Sequence, residues 1–556
     1  MNVPAGLSTE MCDMVIQTLR QVVGRELPDD KVMDLDEKDQ FPEDVIQKLL
    51  SPDVGLHLIF LPEENGGLGG GARDICRVSE EMAASDLGVA TAFLAICLGT
   101  DPILEGGTPE QKDKWLTRIA TEGLIVAYGV TEPEAGSNVA ALKTTADRIL
   151  DADGNTTGYR LNGTKQFITN GGVAQIYTIL ARTPEGPSFF VVERGTSGLS
   201  VGKHEDKHGI RASNTTGVLL EDVDVPAENL IGLVEGQGLK QANAVFGYTR
   251  LMVGAFGLGG GQGPLNRALA YAKTREQFGA PLIEKQGYLL KLIVENWIDL
   301  AAGRAHMEQV ALQIDDGGKD LGTEGSIAKY WGTEAGNRAA DASIQALGGY
   351  GYAREYLVEK MRRDVRITSI YEGTSEIQQS IIAMYRWKET VRSKGEFYGK
   401  LAAEMDALQE SAHQVGASLV AAAVRGVNDV TLYMHREKLT KNQIVMFTLA
   451  DMMTVCEVAA AFARKAARLQ GEGHAQAGVF SAMSRVFGRK AVRMVANGAD
   501  LCAGGWTDGA DSGQVAEADA FLDRVRARFP LELTAGLWPD MEIVGEYLKT
   551  LDGYVG

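Results

Sequence analysis

Apolar positions divide the chain into stretches of helical and of strand-like spacing. Up to about Gly123, apolar residues recur three and four positions apart, as in residues 41–50 and 75–104, which predicts helices. Between about Ile125 and Val225, short β-rich runs alternate with turns, including a hairpin tip at residues 151–158. The predicted strands cover residues 125–130, 159–162, 176–181, 188–193 and 216–225. Strands at this spacing without helices between them indicate a small barrel or sandwich.

The helical pattern resumes after Pro226 and continues through the rest of the chain. Predicted helices cover residues 239–273, 283–315, 323–347 and 375–390, and further periodic runs cover 401–423, 445–469 and 477–501. We therefore predict a mainly α protein with a central β-domain. The predicted domains are an N-terminal helical domain (1–124), a middle β-domain (125–238), a helical bundle (239–390) and an additional helical domain (391–556).

Length and composition are those of an ordinary globular protein of several domains. The 556 residues are too many for one core, and 45% of them are apolar and 23% charged. The sequence has no run of about 18 uncharged apolar residues, which a membrane-spanning helix would need. The first 25 residues lack the basic start and apolar core of a targeting segment. These features predict a cytoplasmic protein.

Charge and ligand residues exclude several classes of function. A net charge of −19 and a pI near 5.0 argue against binding of a nucleic-acid backbone. The five cysteines form no C-x-x-C pair, which is typical of reduced, packed thiols. The seven histidines show no metal-ligand spacing, so we predict no metal site.

Two glycine-rich stretches are candidates for a nucleotide site. Gly67, Gly69 and Ala72 fit the dinucleotide fingerprint, but only a short strand at residues 58–61 precedes them and no βαβ alternation follows. A loop that links two helices is therefore the favoured interpretation. The glycines of residues 257–263 miss the fingerprint and lie in a helical pattern, which favours close helix packing or a kink.

Residues 366–379 contain the first candidate for chemistry. They read R-I-T-S-I-Y-E-G-T-S-E-I-Q-Q, and Ser375 with Gln378 has the spacing of a capping box at a helix start. Glu372 and Gly373 stand just before that cap. The positive end of the helix stabilises the negative charge of a carboxylate at such a turn, and general bases are often found there. An ordinary charge at a helix start is the alternative interpretation.

Four other segments combine polar groups with the ends of predicted elements. They are residues 125–146, centred on V-A-Y-G-V-T-E-P-E-A-G-S-N, residues 162–172, residues 274–286 and residues 344–356. The first offers hydroxyls and backbone N–H groups at a strand end, and the last is a helix stopped by two glycines where a pyrophosphate could approach. Each of them alone is more often an ordinary strand or helix end.

Together with residues 366–379, these segments resemble those of the acyl-CoA dehydrogenase family of flavoproteins. The motifs here read T-E-P-x-A-G-S, G-x-K-x-x-I-T-N-G, R-x-Q-F-G, Q-x-L-G-G-x-G-Y and Y-E-G-T-S-E-I-Q, in the family's order. The resemblance covers residues 1 to about 390. It implies the family's order of helical domain, β-barrel domain and helical bundle, and FAD as the cofactor.

The resemblance also implies which residues bind the cofactor and the substrate. Thr131 and Thr169 are expected to donate hydrogen bonds to the flavin ring, which raises its affinity for electrons. The implied ring contacts are Tyr128, Val130, Thr131, Phe167, Ile168 and Thr169, completed by Thr374 and Glu376. The implied contacts to the FAD diphosphate and adenosine of a neighbouring subunit are Arg275, Gln277, Phe278, Gln345, Gly348 and Gly349. The implied substrate residues are Ser137, Arg250, Tyr371 and Gly373.

The implied reaction is dehydrogenation of an acyl-CoA thioester to a trans-2-enoyl-CoA. Glu372 would remove the α-proton while the β-hydrogen leaves as hydride to the flavin. Some branches of the family carry the base just before the substrate arginine, but that position is Thr249 here. The expected electron acceptor is an electron-transferring flavoprotein, and β-oxidation of fatty acids is the expected setting. Ala90 and Leu94, implied near the floor of the acyl pocket, do not identify the acyl group.

Residues 391–556 extend beyond the short- and medium-chain members of the family. This length resembles the extended subfamily, which includes very-long-chain enzymes and bacterial relatives, and it implies a homodimer. Residues 445–469 could contact the inner membrane peripherally, although a buried helix face is the favoured interpretation. An oxidase that uses oxygen, and a non-catalytic assembly scaffold, are the competing hypotheses. The motif E-A-G-S-N, where the family usually has G-A-G-S-D, leaves the effect of Glu134 and Asn138 on binding open.

Overall fold

The computed structural model describes residues 6–318, 320–505 and 512–551, apart from the side chains at 246–248, 532 and 534. It divides into two compact units. The first unit comprises Met1–Gly260, Ala311–Gly322 and Glu359–Glu372, and the second comprises Gly261–Val310, Thr323–Val358 and Gly373–Gly556. The predicted mainly α fold with a central β-domain is confirmed. The division into four domains stays a prediction.

In the described part of the first unit, six α-helices precede the sheet. They are α1 (Thr9–Glu26), α2 (Asp29–Lys38), α3 (Glu43–Leu50), α4 (Ala72–Ser85), α5 (Leu87–Gly106) and α6 (Pro109–Glu122). Helix α5 is the most apolar of the six, and nearly all of its side chains are buried. Asp86 begins it as N-cap, because its carboxylate accepts a hydrogen bond from the Val89 N–H at 2.8 Å.

Seven strands form one mixed sheet. They are β1 (Val126–Gly129), β2 (Thr145–Leu150), β3 (Thr156–Thr169), β4 (Ile176–Thr183), β5 (Gly186–Glu193), β6 (Leu199–His204) and β7 (Thr215–Pro226). The strand order is β1-β4-β2-β3-β7-β6, with β5 paired to β4. Strands β2 and β6 were not predicted. Their outer positions are largely exposed, so few buried residues mark an alternation.

Strand β3 is longer than the predicted run of residues 159–162, because two irregularities interrupt its pattern. Its register against β7 shifts between Leu161 and Gly163 and again between Lys165 and Ile168. Gly163 has φ 153°, and Phe167 lies in the left-handed region at φ 57°. Such β-bulges re-aim side chains next to functional sites. The second bulge turns Phe167 outward, and 63% of its surface is exposed.

In the described part of the chain after β7, the elements are helices, apart from the short strands β8 (Glu276–Gln277) and β9 (Ala280–Pro281). Up to residue 392 they are α7 (Gly238–Thr274), α8 (Gln286–Tyr288), a π-helical segment (Leu289–Val294), α9 (Glu295–Asp315), α10 (Gly322–Leu347), α11 (Gly349–Tyr352), α12 (Leu357–Val365) and α13 (Ser375–Arg392). The remaining helices are α14 (Glu396–Ser411), α15 (Ala417–Arg436), α16 (Gln443–Gly471), α17 (Ala477–Gly504), α18 (Ser512–Arg526), α19 (Leu531–Thr534) and α20 (Leu537–Thr550).

The periodic run at residues 401–423 is not one helix, as its pattern predicted. It spans the end of α14 and the start of α15, and residues 412–416 separate the two. Gly416 closes this turn with φ 74°, a conformation that glycine adopts without steric cost. Apolar spacing continues through the turn because Ala412 and Val415 are buried there.

The glycines of residues 257–263 lie inside α7 and permit close packing, as expected. A Cβ atom on Gly259 would lie 2.1 Å from the Glu80 carbonyl oxygen. A Cβ atom on Gly261 would lie 2.6 Å from the Cα of Gly336 in α10. Both distances are below any real Cβ contact, so neither position accepts a larger residue without movement.

The glycine-rich loop before α4 links helices and leaves no room for a phosphate. A 3₁₀ turn at Leu56–Phe60 precedes it, where a short strand was predicted. The carboxylate of Asp315 accepts hydrogen bonds from the N–H groups of Ala72 at 2.6 Å and of Arg73 at 3.1 Å. These are the donors that a dinucleotide pyrophosphate would need at this helix start. A carboxylate of the chain itself therefore occupies that position.

Two helices, α5 and α16, are long and apolar enough to cross a membrane by composition alone. However, 89% of the apolar window of α5 and 67% of that of α16 are buried in the protein. Core helices of soluble proteins show the same combination. All five cysteines are free and buried, as predicted. Among the described residues, no group of three or more His, Cys, Asp or Glu side chains is arranged to hold a metal ion.

Candidate active site

Glu372 lies in a strained turn between a 3₁₀ segment, Arg366–Ser369, and helix α13. Its φ is 54°, in the left-handed region, and the φ of Gly373 is 86°. A non-glycine residue in this region is uncommon and is found at functional sites more often than elsewhere. The predicted capping box of Ser375 and Gln378 is wrong. Thr374 is the N-cap and accepts from the Ile377 N–H at 3.4 Å, which leaves Ser375 to donate to Glu334 at 2.6 Å.

Around Glu372, the first unit gathers buried polar side chains. Its Oε2 atom is buried, as are the hydroxyls of Tyr128 and Tyr371. Burial raises the pKa of the Tyr128 phenol, and the charges of Glu372 and Asp101 raise it further. Burial likewise raises the pKa of Tyr371, whose ring hydroxyl lies beside Thr91. These effects place Tyr128 and Tyr371, both predicted site residues, within electrostatic reach of Glu372.

Asp101 is a site residue that the motifs did not reveal. It lies on α5, and only 7% of its surface is exposed. Burial raises the pKa of its carboxyl well above the ordinary value, and the charges of Glu105 and Glu372 raise it further. The only sequence signal was an aspartate inside an otherwise apolar helical run, just before Pro102.

The first two motifs meet where strands β1 and β3 end. The Gln166 N–H donates to the Thr131 carbonyl at 2.9 Å. Beside this link, the Lys165 ammonium donates to the Glu132 carboxylate at 2.7 Å, and both side chains are buried. The structure thereby brings together the ends of two segments predicted to contact the flavin. Of these residues, Val130 and Ile168 are buried, Thr131 and Thr169 are half-buried, and Phe167 is exposed.

Ser137 and Arg250, the remaining predicted substrate residues of this unit, lie on different elements. Ser137 is exposed in the loop before a 3₁₀ turn at Val139–Ala141. In the same loop, Glu134 pairs with Lys143. Arg250 is half-buried on α7 and donates to the Gly322 carbonyl at 3.4 Å. Thr249 stands at the position where the resemblance places the base of some family members. It is completely buried and has no acidic group.

In the second unit, the R-x-Q-F-G and Q-x-L-G-G-x-G-Y motifs line one cavity of about 560 Å³. Arg275 directly follows α7 and Gln277 lies in β8, whereas Gly348 follows α10 and Gly349 begins α11. The Arg275 guanidinium lies 5.8 Å from the centre of the Tyr350 ring. The other aromatic residues of the cavity are Tyr271 and Tyr356. A cation, backbone N–H groups and aromatic faces are the groups that hold phosphates and bases.

The other predicted residues of this unit flank the cavity or the start of α13. Phe278 is 95% exposed and follows β8 in the left-handed region at φ 52°. Gln345 is exposed near the end of α10, and Glu376 is exposed in the first turn of α13. The Gly373 carbonyl accepts from the buried Lys329 ammonium at 2.6 Å.

Three family models match consecutive parts of the chain. They describe the N-terminal domain (residues 9–123), the middle domain (127–223) and the C-terminal domain (236–385) of acyl-CoA dehydrogenase. The chain belongs to the acyl-CoA dehydrogenase family. The predicted resemblance and the predicted activity, an oxidoreductase acting on acyl-CoA, are thereby confirmed.

Individual members of the acyl-CoA dehydrogenase family agree with this assignment. An acyl-CoA dehydrogenase of Bacillus subtilis is 38% identical over 362 residues, which are 63% of this chain and 91% of the relative. A structure of acyl-CoA dehydrogenase complexed with FAD from Bacillus anthracis has a TM-score of 0.83 and 25% identity. It covers 98% of this chain and 95% of its own, so it includes the C-terminal helices. The family depends on FAD, as predicted.

A second similar structure is that of the electron transferring flavoprotein of Acidaminococcus fermentans. The matched chain has a TM-score of 0.63 and 32% identity, and the match covers 68% of this chain and 98% of that one. The match therefore covers about two thirds of this protein and not its full length.

Proposed function

We propose that the protein catalyses FAD-dependent α,β-dehydrogenation of an acyl-CoA thioester, with Glu372 as the base and a trans-2-enoyl-CoA as the product. One observation carries this proposal. In a member of the acyl-CoA dehydrogenase family, a carboxylate with a buried oxygen is held in a left-handed turn beside two other buried polar groups. Strain of this kind persists where the position of a side chain matters for function.

The surroundings of Glu372 suit proton abstraction. The buried Oε2 atom of Glu372 lies among the polar groups of Tyr128, Tyr371 and Asp101 instead of in bulk water. The Glu372 N–H group is proposed to donate to the thioester carbonyl and so acidify the α-proton. Tyr371, Gly373, Arg250 and Ser137 are proposed to orient the substrate.

The residues of both units fit FAD. The exposed ring of Phe167, the half-buried hydroxyls of Thr131 and Thr169 and the buried phenol of Tyr128 offer stacking and hydrogen bonds at the ends of two joined strands. When bound, FAD supplies the acceptor for the hydride that leaves Cβ. The cavity lined by Arg275, Gln277, Gly348 and Gly349, with Phe278 and Gln345 beside it, is proposed to hold the diphosphate and adenosine of the FAD of a neighbouring subunit. Thr374 and Glu376 complete the proposed set.

The same proposal includes the partners of the reaction. An electron-transferring flavoprotein is the proposed acceptor, supported by the similar chain in the structure of such a flavoprotein. We further propose a homodimer, a cytoplasmic location and a place in β-oxidation of fatty acids. A peripheral contact with the inner membrane through α16 is the weaker possibility, because two thirds of its apolar window is buried.

Replacement of the base tests the proposed role of Glu372. We expect Glu372→Gln to retain FAD and to bind acyl-CoA, because the amide has the same shape. It should lower turnover by about 10²–10⁴-fold, because a positioned base contributes that much to proton transfer. The assay follows bleaching of the flavin absorbance by acyl-CoA under anaerobic conditions. Glu396→Gln, at an exposed first-turn position of α14, is the matched control.

The outcomes separate the competing hypotheses. Turnover of Glu372→Gln close to that of the wild type would refute the assignment of the base. Rapid reaction of the reduced protein with oxygen in a stopped-flow experiment would favour an oxidase. A colourless protein that cannot be reconstituted with FAD would favour a non-catalytic scaffold. Light scattering on the purified protein would test the homodimer.

A further inference from the structure

Asp101 is a buried carboxyl that no described cation faces. Among the described residues, its buried Oδ2 atom has no hydrogen-bond partner, and its Oδ1 atom has only the Cys97 thiol at 3.9 Å. The groups that influence it electrostatically in the described part of the chain are two other acids and this thiol. An acid in such a place lowers stability, so its presence needs another explanation.

The position of Asp101 on α5 directs it toward the proposed base. Thr91 lies on this helix beside Tyr371, and Asp101 follows ten residues later, within electrostatic reach of Glu372. Helical spacing places Leu94 and Glu105 along the same stripe as these two residues. This stripe of α5 therefore faces the turn that contains Tyr371 and Glu372.

A second buried polar atom is influenced by the same acids. The phenol oxygen of Tyr128, on strand β1, is buried and has no hydrogen-bond partner within the described residues, and the charges of Glu372 and Asp101 act on it. A pocket that only received a straight hydrocarbon chain would bury such atoms without compensation, at a cost for each. A donor on the substrate would satisfy the carboxyl oxygen.

We propose that Asp101 selects an acyl group that carries a hydrogen-bond donor, a hydroxyl or an ammonium group, beyond its β-carbon. The inference rests on the proposed function, because it treats the space between Glu372 and α5 as the acyl pocket. A carboxyl accepts from either donor. The absence of a cation near Asp101 among the described residues leaves room for a positively charged substituent as well as for a neutral one. Asp101 is thus a specificity-determining residue, and the chemistry at Cα and Cβ is unchanged.

The test compares octanoyl-CoA with derivatives that carry a hydroxyl or an amino group at each position from C5 to C8. For the FAD-containing enzyme we expect at least one derivative to have a kcat/KM about tenfold or more above octanoyl-CoA, because a site built for a substrate donor discriminates against its absence. Preference for a hydroxyl identifies a neutral substituent, and preference for an amine identifies a cationic one. If no derivative exceeds octanoyl-CoA, the proposal is wrong.

Variants assign the preference to Asp101. In Asp101→Leu the preferred derivative should lose its advantage, and octanoyl-CoA should become the better substrate. Asp101→Asn, which keeps the shape and an acceptor oxygen, should preserve a hydroxyl preference and abolish an amine preference. Asp113→Asn, an exposed position on α6, should leave the ratio unchanged. An unchanged ratio in both Asp101 variants would overturn the assignment.

Binding measurements distinguish failure of this inference from failure of the proposed function. Titration calorimetry with the corresponding trans-2-enoyl-CoAs needs no turnover and no variant. If octanoyl-CoA is oxidised but no donor improves kcat/KM or binding, the proposed function stands and the inference falls. If no thioester is oxidised, the proposed function fails. The inference about the pocket is then decided by whether a donor tightens binding in the wild type about tenfold.

Discussion

The buried ion pair between Glu132 and Lys165 joins two motifs of the chain and can be broken selectively. Lys165 is completely buried and Glu132 is nearly so, and their charged atoms lie 2.7 Å apart. The Glu132 carboxylate also accepts from the N–H groups of Lys143 at 2.6 Å and Thr144 at 3.1 Å. Lys165 has one further acceptor, the Val130 carbonyl at 3.3 Å. The two partners are therefore unequally supported.

Lys165→Met removes the cation and leaves Glu132 with two backbone donors. Removal of one partner of a buried pair costs about 3–5 kcal/mol, and the two remaining hydrogen bonds place this variant near the lower limit. Glu132→Gln instead leaves the ammonium with neutral acceptors only, so its cost should be near the upper limit. The double variant Glu132→Gln/Lys165→Met should be much closer to the wild type, because neither charge is then left uncompensated.

The two single variants should respond differently to pH. Burial lowers the pKa of Lys165 to about 8 even with its partner present. Because the folded pKa lies below the unfolded pKa, the unfolded chain binds more protons, and stability rises with pH between these values. In Glu132→Gln, the buried Lys165 can lose its proton instead of remaining charged. This limits the loss of folding stability to about 4 kcal/mol at pH 7.5 and about 1 kcal/mol at pH 9.5. The penalty in Lys165→Met should show no such relief.

Melting temperatures at pH 7.5 and 9.5, followed by circular dichroism, measure both effects. A loss of about 3 kcal/mol should lower the melting temperature by at least about 6 °C in a large domain. FAD content of the purified variants is the second readout, because the pair lies beside Thr131 and Gln166. The reasoning would be refuted if Lys165→Met melted within about 2 °C of the wild type. It would equally be refuted if Glu132→Gln showed the same deficit at both pH values.

Three further predictions concern other parts of the fold. Because the pKa of Asp101 is raised in the folded chain, the folded chain keeps a proton that the unfolded chain releases above about pH 4, and Asp101 lowers stability as the pH rises. Asp101→Asn should therefore melt at a higher temperature than the wild type at pH 8 but not at pH 4. Gly261→Val should lower stability by about 1–3 kcal/mol because its side chain meets Gly336, whereas Gly399→Ala, with open space around it, should raise stability slightly in urea unfolding. Phe278→Ser should leave the melting temperature of the FAD-free protein unchanged, since 95% of the ring is exposed, but should weaken FAD retention in equilibrium dialysis; unaltered retention would contradict the proposed contact.

Motifs that stand far apart in the sequence contain residues that contact one another in the structure. Lys165 and Glu132 stand in different motifs and form one buried pair, and Arg275 and Gly348 line one cavity. Such motifs can be read from the sequence even when the structure of the segment that connects them is not known. The cap at Thr374 was missed because a threonine and a serine stand side by side, and only the geometry shows which hydroxyl faces the Ile377 N–H group.

The features that escaped prediction depend on tertiary surroundings. Asp101 belongs to no motif, and its importance is visible only from its burial and from the acids near it. Strand β2 contains Asp147 and Arg148 at exposed positions, so its one fully buried residue could not define a period of two. The break between α14 and α15 was hidden because the turn itself contains buried apolar residues.

The C-terminal helices are tied to the helices before residue 390 by buried polar contacts. Asp451 of α16 accepts from Tyr330 at 2.7 Å and from Gln379 at 2.8 Å, and Glu457 accepts from the buried Arg386 at 2.8 Å. Lys490 of α17 donates to Asp299 at 2.7 Å.

Shortening the gene to the length of smaller family members would therefore not yield a smaller working enzyme. The severed protein would present Arg386 and Tyr330 to solvent or to other chains, with a matching apolar surface that invites aggregation. The extension and the surface beneath it are therefore matched to one another in their polar groups. Engineers who wish to remove it would first have to redesign the surface that it covers.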